Sequence, residues 1–300
     1  MTSDTSDLSQ KNNKRPWYAI LSVFKDSIIG YFSEGAFFHG AALAYYTLFS
    51  FVPIVYLSTS IFGRVVGKDQ MQKIIEDLLQ NQIGISDTKG IMEFLNSVNF
   101  DKPSLLLEIV SIGILLYGCS AFLVSLKRSI NEFFDISKKK RKEENILMSI
   151  IGFRFLSVAF LALFAFIIIL FYFMQVFIFS ALTNWFHYKN GFVDLTIDFL
   201  QHLISIFSNI LIFTIVFKYI HDGFVPIKLA IKGAFVTSVL LFLSQLLIKY
   251  YLHNYFFLGN MGIAGSLFIF LAWVHYSAQI VFFGAKFTAV LAERDGIKIK

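Results

Sequence analysis

Residues 37–63 read FFHGAALAYYTLFSFVPIVYLSTSIFG and carry no formal charge. As a helix they exceed the ~20 apolar residues that a bilayer core requires. Within them, Pro53 has no N–H to donate to the carbonyl of Phe49, and its ring crowds that turn. In lipid the freed carbonyl needs another donor, which Thr47, Ser50 or a neighbouring helix could supply. The stretch predicts a membrane span with a bend at Pro53, which is either a packing kink or a functional hinge.

The composition of the whole chain fits a membrane protein. Of its 300 residues, 56% are hydrophobic, only 15% are charged, and 37 are phenylalanine, which suits a lipid-facing surface. In a soluble protein the net charge of +6 would indicate a nucleic-acid partner, but here the placement of lysine and arginine along the chain explains it. The single cysteine, Cys119, excludes an intrachain disulfide. We therefore predict a membrane protein with no nucleic-acid partner.

The apolar segments predict an all-α fold, a polytopic membrane bundle of six transmembrane helices with an N-terminal amphipathic interfacial helix and a short helical external cap. The spans are predicted at about residues 37–63, 103–126, 146–179, 195–217, 229–252 and 262–291, within a transmembrane domain of residues 37–292. The other segments are a disordered cytoplasmic tail at 1–16, the interfacial helix at 17–36, the cap at 64–102 and a cytoplasmic tail at 293–300.

The placement of positive charge predicts the orientation of the bundle. Lysine and arginine concentrate in the two terminal tails and in the loops at residues 127–142 and 218–232. The loops at residues 181–197 and 253–261 carry almost none. Because positively charged loops stay on the cytoplasmic side of a membrane, both termini are predicted to be cytoplasmic.

An outer layer of polar side chains follows from counting residues along each span at ~1.5 Å per residue. It contains Arg64, Glu108, Asp198 and His202. Arg64 and Glu108 fall at matching depth on consecutive spans, and Asp198 and His202 share a helix face. Ionisable groups at lipid depth are costly and often functional, so the layer is either a proton or substrate site open to the outside or a set of interfacial anchors with one ion pair.

A middle layer forms the predicted substrate path. Its members are Ser50, Pro53, Asn209, Gln245, His275 and Gln279. His275 and Gln279 are four residues apart and therefore lie on one helix face. They either make hydrogen bonds between helices or line a cavity that faces the bend at Pro53.

Two cations of the inner layer, Arg154 and Lys286, lie inside apolar runs. Long basic side chains near a helix end can extend to the membrane surface. Alternatively, these two could hold an anionic lipid headgroup or an anionic substrate, because basic clusters beside the membrane attract such groups at ~1 kcal/mol per charge. The predicted partners are membrane lipids with anionic headgroups on the cytoplasmic side, together with a second copy of the chain or an envelope protein.

Residues 40–53, GAALAYYTLFSFVP, resemble the first-span signature of the YihY/BrkB family of bacterial inner membrane proteins. The likeness extends to residues 233–234 (GA), 259–266 (GNMGIAGS) and 283–288 (FGAKFT), to Pro226 and Lys228, and to Arg154 at the start of the third span. One departure is Lys286, which stands where the family usually has the glutamate of a Gly-Ala-Glu triplet.

The resemblance implies a six-helix bundle in the bacterial cytoplasmic membrane and a role in transport or envelope-lipid handling. The ribonuclease label that the family has carried does not fit, because nuclease chemistry needs clustered carboxylates and the acidic residues here are scattered among separate loops. The sequence also lacks phosphate-binding, zinc and nucleophile motifs. We therefore predict a transporter-like membrane protein, not an enzyme, without cofactor or metal. The alternative is a non-transporting scaffold or envelope assembly factor.

Overall fold

A computed structural model describes residues 16–57, 67–77, 88, 92–93, 105–136, 191–255 and 262–299. These residues form helices and their connections and contain no strand. The helices are α1 (Pro16–Ser33), α2 (Ala36–Leu57), α3 (Lys68–Asp77), α4 (Leu105–Phe133), α5 (Gly191–Tyr219), α6 (Ile227–Tyr255) and α7 (Gly262–Arg294). The predicted all-α fold is confirmed.

Five of the described helices are long and apolar enough to cross a membrane. The spanning segments are Ala36–Ile54, Leu105–Phe133, His202–Tyr219, Ile227–Ile248 and Leu267–Arg294. They correspond to predicted spans one, two, four, five and six. The third predicted span, the tail before Pro16 and most of the cap beyond α3 lie outside the described residues, so the count of six stays a prediction.

The described spans share one end, which we call the inner end. There α2 begins, α4 and α5 end, α6 begins and α7 ends. Its core is aromatic, with Phe133, Phe217 and Phe282 fully buried and the rings of Phe133 and Phe282 stacked at 5.2 Å between centroids. The inner end is the end that the charge pattern predicts to be cytoplasmic.

Helix α4 runs about two turns beyond its predicted end at Leu126 and stops at Phe133. Asp135 follows in the left-handed conformation, with φ of 53°. This allows the amide of Ile136 to bond back to the carbonyl of Asn131 at 2.9 Å, as at many helix C-termini. The extension matters because it places Asp135 beside α7.

Helices α1 and α2 meet in a sharp corner at Glu34 and Gly35. Gly35 has φ of 68°, a conformation that glycine adopts without steric cost. Helix α1 packs along α7, and the ring of Phe24 lies 5.0 Å from that of Phe287 and 6.1 Å from that of Phe283. The other side of α1 is exposed and apolar, with Leu21, Ile28, Ile29 and Phe32. The location of α1 at the membrane interface stays a prediction.

Helices α6 and α7 approach closely at a reciprocal pair of glycines. A Cβ atom on Gly284 would overlap Thr237 Oγ1, and one on Gly233 would overlap Thr288 Oγ1. Each threonine donates its hydroxyl to a carbonyl of its own helix, Thr237 to Gly233 at 2.8 Å and Thr288 to Gly284 at 2.7 Å. The hydroxyls are thereby satisfied, and the glycines set the distance between the helices, as small residues do between membrane helices.

Gly284→Ala is expected to lower the stability of the protein, because Phe217 as well as Thr237 crowds the new methyl group. Overpacking of this kind costs about 1–3 kcal/mol. Thermal unfolding in detergent measures it. The matched control is Gly113→Ala on α4, where nothing lies within 4 Å of the added Cβ. A melting temperature for Gly284→Ala that equals or exceeds that of Gly113→Ala would contradict the close packing of α6 on α7.

Candidate functional site

Helix α7 carries three polar side chains on one face, His275, Gln279 and Lys286. Lys286 follows His275 by 11 residues, or ~16 Å of helix axis. Gln279 and Lys286 are buried, with 7% and 8% of their surface exposed, and His275 is half-buried. This polar face of α7 points at the corner between α1 and α2, because its members contact Glu34, Ala36 and Gly40.

Lys286 joins three parts of the inner end. Its ammonium forms an ion pair with Glu34 Oε1 at the α1–α2 corner and lies 3.6 Å from Asp135 Oδ2 at the end of α4. Its aliphatic chain lies directly against Gly30 of α1, where a Cβ atom would overlap Lys286 Cε. The sequence left two alternatives for Lys286, extension to the membrane surface or contact with an external anion, and in the structure its partners are two carboxylates of the chain itself.

Glu34 sits in an unusual environment for a carboxylate. One oxygen, Oε1, accepts from Lys286, whereas the buried Oε2 has no hydrogen-bond partner in the described part of the chain. Burial raises the pKa of Glu34 above its ordinary value and outweighs the opposite effect of Lys286, and the nearby carboxylates of Asp135 and Glu132 raise it further. The ion pair with Lys286 therefore does not fully compensate the cost of burying the Glu34 carboxylate.

Gln279 uses its whole amide group to join α1, α2 and α7. Its Oε1 accepts from the Tyr31 hydroxyl, and its Nε2 donates to the carbonyl of Ala36 at 3.2 Å and lies 3.3 Å from His275 Nε2. Burial, and then the neighbouring Tyr276, raise the pKa of Tyr31 to about 12, so the hydroxyl stays protonated and can donate. Gly40 makes room for Gln279 on α2.

His39 of α2 lies between two residues of α4 in an arrangement that resembles a catalytic triad. Its Nδ1 is 2.9 Å from Ser129 Oγ and its Nε2 is 3.5 Å from Glu132 Oε2. However, Ser129 is fully buried and donates its hydroxyl to the carbonyl of Ser125 at 2.8 Å. A nucleophilic serine must instead give its proton to the base. The group therefore fits a set of polar contacts that joins α2 to α4.

A second polar cluster joins the loop between α5 and α6 to α4. Asp222 Oδ1 lies 2.5 Å from Lys127 Nζ, and Asn131 both donates to Asp222 Oδ2 at 2.8 Å and accepts from its amide at 3.0 Å. Burial opposes ionisation of Asp222, but the bonds from Lys127 and Asn131 outweigh it and lower the pKa. Lys127 thus helps to hold this loop against α4. It also belongs to the positive charge from which the orientation of the bundle is predicted.

The predicted middle layer does not assemble into a single site. Ser50 is buried beside Gly118 of α4 and donates to the carbonyl of Tyr46 at 2.9 Å. Pro53 is buried within the continuous helix α2. Asn209 is half-buried on α5 and Gln245 is exposed on α6. Of this layer, the structure brings together only His275 and Gln279.

His275 and Gln279 lie far from the bend at Pro53, which the second of the two alternatives had them face. They contact α2 at Gly40, which is 13 residues before Pro53 (53 minus 40), or ~20 Å along the helix. The side chains proposed to satisfy the carbonyl of Phe49 are also used elsewhere, because Thr47 donates to Leu43 at 2.8 Å and Ser50 to Tyr46.

The outer layer and Arg154 are described only in part. Arg64 and Arg154 lie outside the described residues. Glu108 is half-buried in the first turn of α4. Asp198 and His202 are one turn apart on α5, and the exposed His202 has its ring 5.3 Å from that of Phe242. The side chain of Asp198 is not among those described. The roles of these residues stay predictions.

Comparison with known proteins gives one family. The family model described as Virulence factor BrkB matches residues 30–300. The chain belongs to the BrkB family. This match confirms the resemblance seen in the sequence. The matched residues include the polar face of α7 and the partners of that face from Gly30 onward.

The curated relatives of this BrkB-family protein are named as membrane proteins. A UPF0761 membrane protein of Saccharophagus degradans is 24% identical over 285 residues, which cover 95% of this chain and 63% of the relative. A UPF0761 membrane protein of Psychromonas ingrahamii is 23% identical over 258 residues, which cover 84% of this chain and 81% of the relative. The chain thus spans less than two thirds of the first relative. No solved structure matches the chain significantly.

Sequence reasoning missed Glu34, Tyr31 and His39 as members of the site. Glu34 lies within the segment predicted as the interfacial helix, and it is 252 residues from its partner Lys286. The available signal was Lys286 itself, because a cation inside an apolar run needs an anion. That signal does not say which acidic residue supplies the anion.

Removing one partner of the Glu34–Lys286 pair is expected to destabilise the protein more than removing both. Breaking a buried pair costs on the order of 3 kcal/mol when the remaining charge is left uncompensated, and Asp135 lowers that cost when Lys286 is the charge that remains. We expect Glu34→Gln and Lys286→Met each to lower the melting temperature in detergent, and the double variant to recover part of the loss. Additive losses would contradict a direct pair.

The matched control for this double-mutant cycle of Glu34 and Lys286 is Lys232→Met. Lys232 is 57% exposed and lies 3.8 Å from Asp295, so its ion pair is a weak surface pair. Such pairs contribute about 0–1 kcal/mol. The control should therefore melt close to the unaltered protein.

Proposed function

We propose that this BrkB-family protein is a transporter-like protein of the bacterial inner membrane, with both termini cytoplasmic, that moves or handles an anionic or amphipathic substrate such as an envelope lipid. The observation that carries the proposal is the polar face of α7. Polar and ionisable side chains within membrane helices are costly, and they commonly mark substrate or ion pathways. Here His275, Gln279 and Lys286 follow one another along a single helix face.

The chemistry of the polar face favours an anionic headgroup. Lys286 supplies a cation, and Gln279 and His275 supply hydrogen-bonding groups in line with it. An anion that reached Lys286 would have to compete with Glu34, so binding would loosen the α1–α2 corner. The large apolar side chains exposed nearby, Phe37 at 53% and Phe38 at 83%, suit the acyl part of a lipid.

Helix α1 is the element that would uncover this face. It lies outside the five described spans and is joined to α7 by the Glu34 ion pair, the Tyr31–Gln279 hydrogen bond and the aromatic contacts of Phe24. Side-chain contacts of this kind can separate without unfolding either helix. We therefore assign α1 the role of a movable cover.

The exchange of a labelled lipid between the two leaflets of proteoliposomes tests the proposal. Vesicles carrying a fluorescent phosphatidylglycerol are expected to exchange the label between leaflets when the protein is present, and Gln279→Leu is expected to slow the exchange at least severalfold. The matched control is Gln245→Leu, the same substitution at an exposed position of α6. Exchange at the rate of protein-free vesicles, or equal slowing by both variants, would contradict the proposal.

A reversible crosslink separates a moving α1 from a fixed one. Phe24→Cys and Phe287→Cys, in a Cys119→Ser background, place thiols on α1 and α7 at positions whose rings are 5.0 Å apart. A reducible crosslinker between them should stop the exchange, and a reductant should restore it. Unchanged exchange in the crosslinked protein would rule out α1 as the cover. Each single-cysteine variant treated in the same way serves as the control.

The exposed apolar side of α1 favours a second candidate, a non-transporting scaffold or envelope assembly factor. Leu21 and Phe32 are 55% and 60% exposed and could bind an envelope protein or a second copy of the chain. A photoreactive residue at Leu21 or Phe32 would capture that partner, whereas one at Leu247, 66% exposed on α6, would report background capture by lipid-facing positions. A reproducible protein adduct from α1 alone, without lipid exchange, would favour the scaffold.

A further inference from the structure

We propose that Glu34 is a proton-binding site, and that proton uptake transfers Lys286 from the α1–α2 corner to the exposed carboxylate of Asp135. The inference concerns the inner end of the bundle only. It rests on the arrangement of the charged groups there and does not require that the protein transports a lipid.

The first observation is the unequal use of the two oxygens of Glu34. Lys286 occupies Oε1, whereas Oε2 is buried and lacks a hydrogen-bond partner within the described residues. A buried oxygen without a partner destabilises an ionised carboxylate more than a neutral carboxylic acid, because the charged form loses more on leaving water. Oε2 is therefore the atom on which a proton would reside.

The second observation is the balance of charge around the pair. Two further carboxylates act on Glu34 through their charge, Glu132 of α4 and Asp135 just beyond α4, and Asp135 also lies 3.6 Å from the ammonium of Lys286. Of these carboxylates, Glu132 is the one within ion-pair distance of His39 of α2, at 3.5 Å. One proton on Glu34 removes one negative charge from this group and leaves Lys286 with a carboxylate partner. The upward direction of the Glu34 pKa agrees with this balance.

The third observation is that Lys286 already has a second partner within reach. Asp135 Oδ2 is 3.6 Å from the ammonium, and the side chain of Asp135 is 81% exposed, whereas that of Glu34 is 19% exposed. A small shift of the ammonium thus exchanges a buried partner for a hydrated one. The incoming proton comes from water and binds Oε2, Lys286 keeps its own protons, and no covalent bond in the chain breaks.

The exchange would weaken the attachment of α1. With Glu34 neutral, the corner loses its ion pair to α7, and the contacts of Tyr31 and Phe24 remain. Proton uptake would therefore loosen one end of α1 while leaving it against α7. This assigns a pH-dependent step to the inner end of the bundle.

Infrared titration of the full chain in lipid nanodiscs tests the site. The unaltered protein should show a protonated-carboxyl band that persists above the ordinary glutamate pKa of about 4.3, and Glu34→Gln should lose it. Glu132→Gln should retain it. Lys286→Met should move its midpoint to higher pH, because it removes a positive charge, and Asp135→Asn should move it to lower pH, each by about one unit. A band that survives Glu34→Gln would overturn the proposal.

A chemical measurement on the unaltered protein avoids reliance on variants that fold poorly. Dicyclohexylcarbodiimide modifies protonated carboxyl groups in apolar surroundings, and mass spectrometry locates the product. We expect modification of Glu34 in preference to Glu132 and Asp135, at a rate that falls as pH rises. Modification confined to the other two acids, or equal at low and high pH, would show that Glu34 does not hold the proton.

Discussion

The structure depends on the need to neutralise the ammonium of Lys286 inside an apolar bundle. An unpaired charge in such surroundings is costly, so the chain must bring an acid to it. Glu34 supplies that acid from the corner between α1 and α2, and Asp135 adds a second from the end of α4. One side chain on α7 thereby contacts both the corner where α1 turns into α2 and the end of α4. The close contact of Lys286 with Gly30 shows how tightly the helices fit around it.

The sequence predicted the spans well because hydropathy reports the environment of long helices directly. All five described spans fall where apolar runs were found, and the spacing of His275 and Gln279 correctly placed both on one face. The end of α4 was placed too early because Lys127 and Arg128 interrupt the apolar run without interrupting the helix. The actual stop depends on Asp135 in a left-handed conformation, and hydropathy carries no information about that.

The site was predicted less well because hydropathy does not distinguish apolar residues that face lipid from those that face protein. The apolar run of α7 extends past Gln279 because Phe282, Phe287 and Leu291 are buried in the core at the inner end, with α1 beside it. Counting depth from the end of that run therefore displaced Gln279 toward the level of Pro53. Its contacts lie near the start of α2 instead, and the pairing of Glu34 with Lys286 across 252 residues has no local pattern at all.

The inner end of the described bundle is firmly packed, and this limits where movement can occur there. The largest fully buried side chains belong to the inner end, among them Phe133, Phe217 and Phe282. A packed core resists gradual deformation, so α4, α5, α6 and α7 should move there as one unit. Helix α1 lies outside the spans, and its contacts with that unit include, besides the buried Val23 and Tyr31, the ion pair of Glu34 that protonation would break. A conformational change at the inner end would therefore break those contacts first, which is why charge on Glu34 and access to the polar face of α7 are expected to be linked.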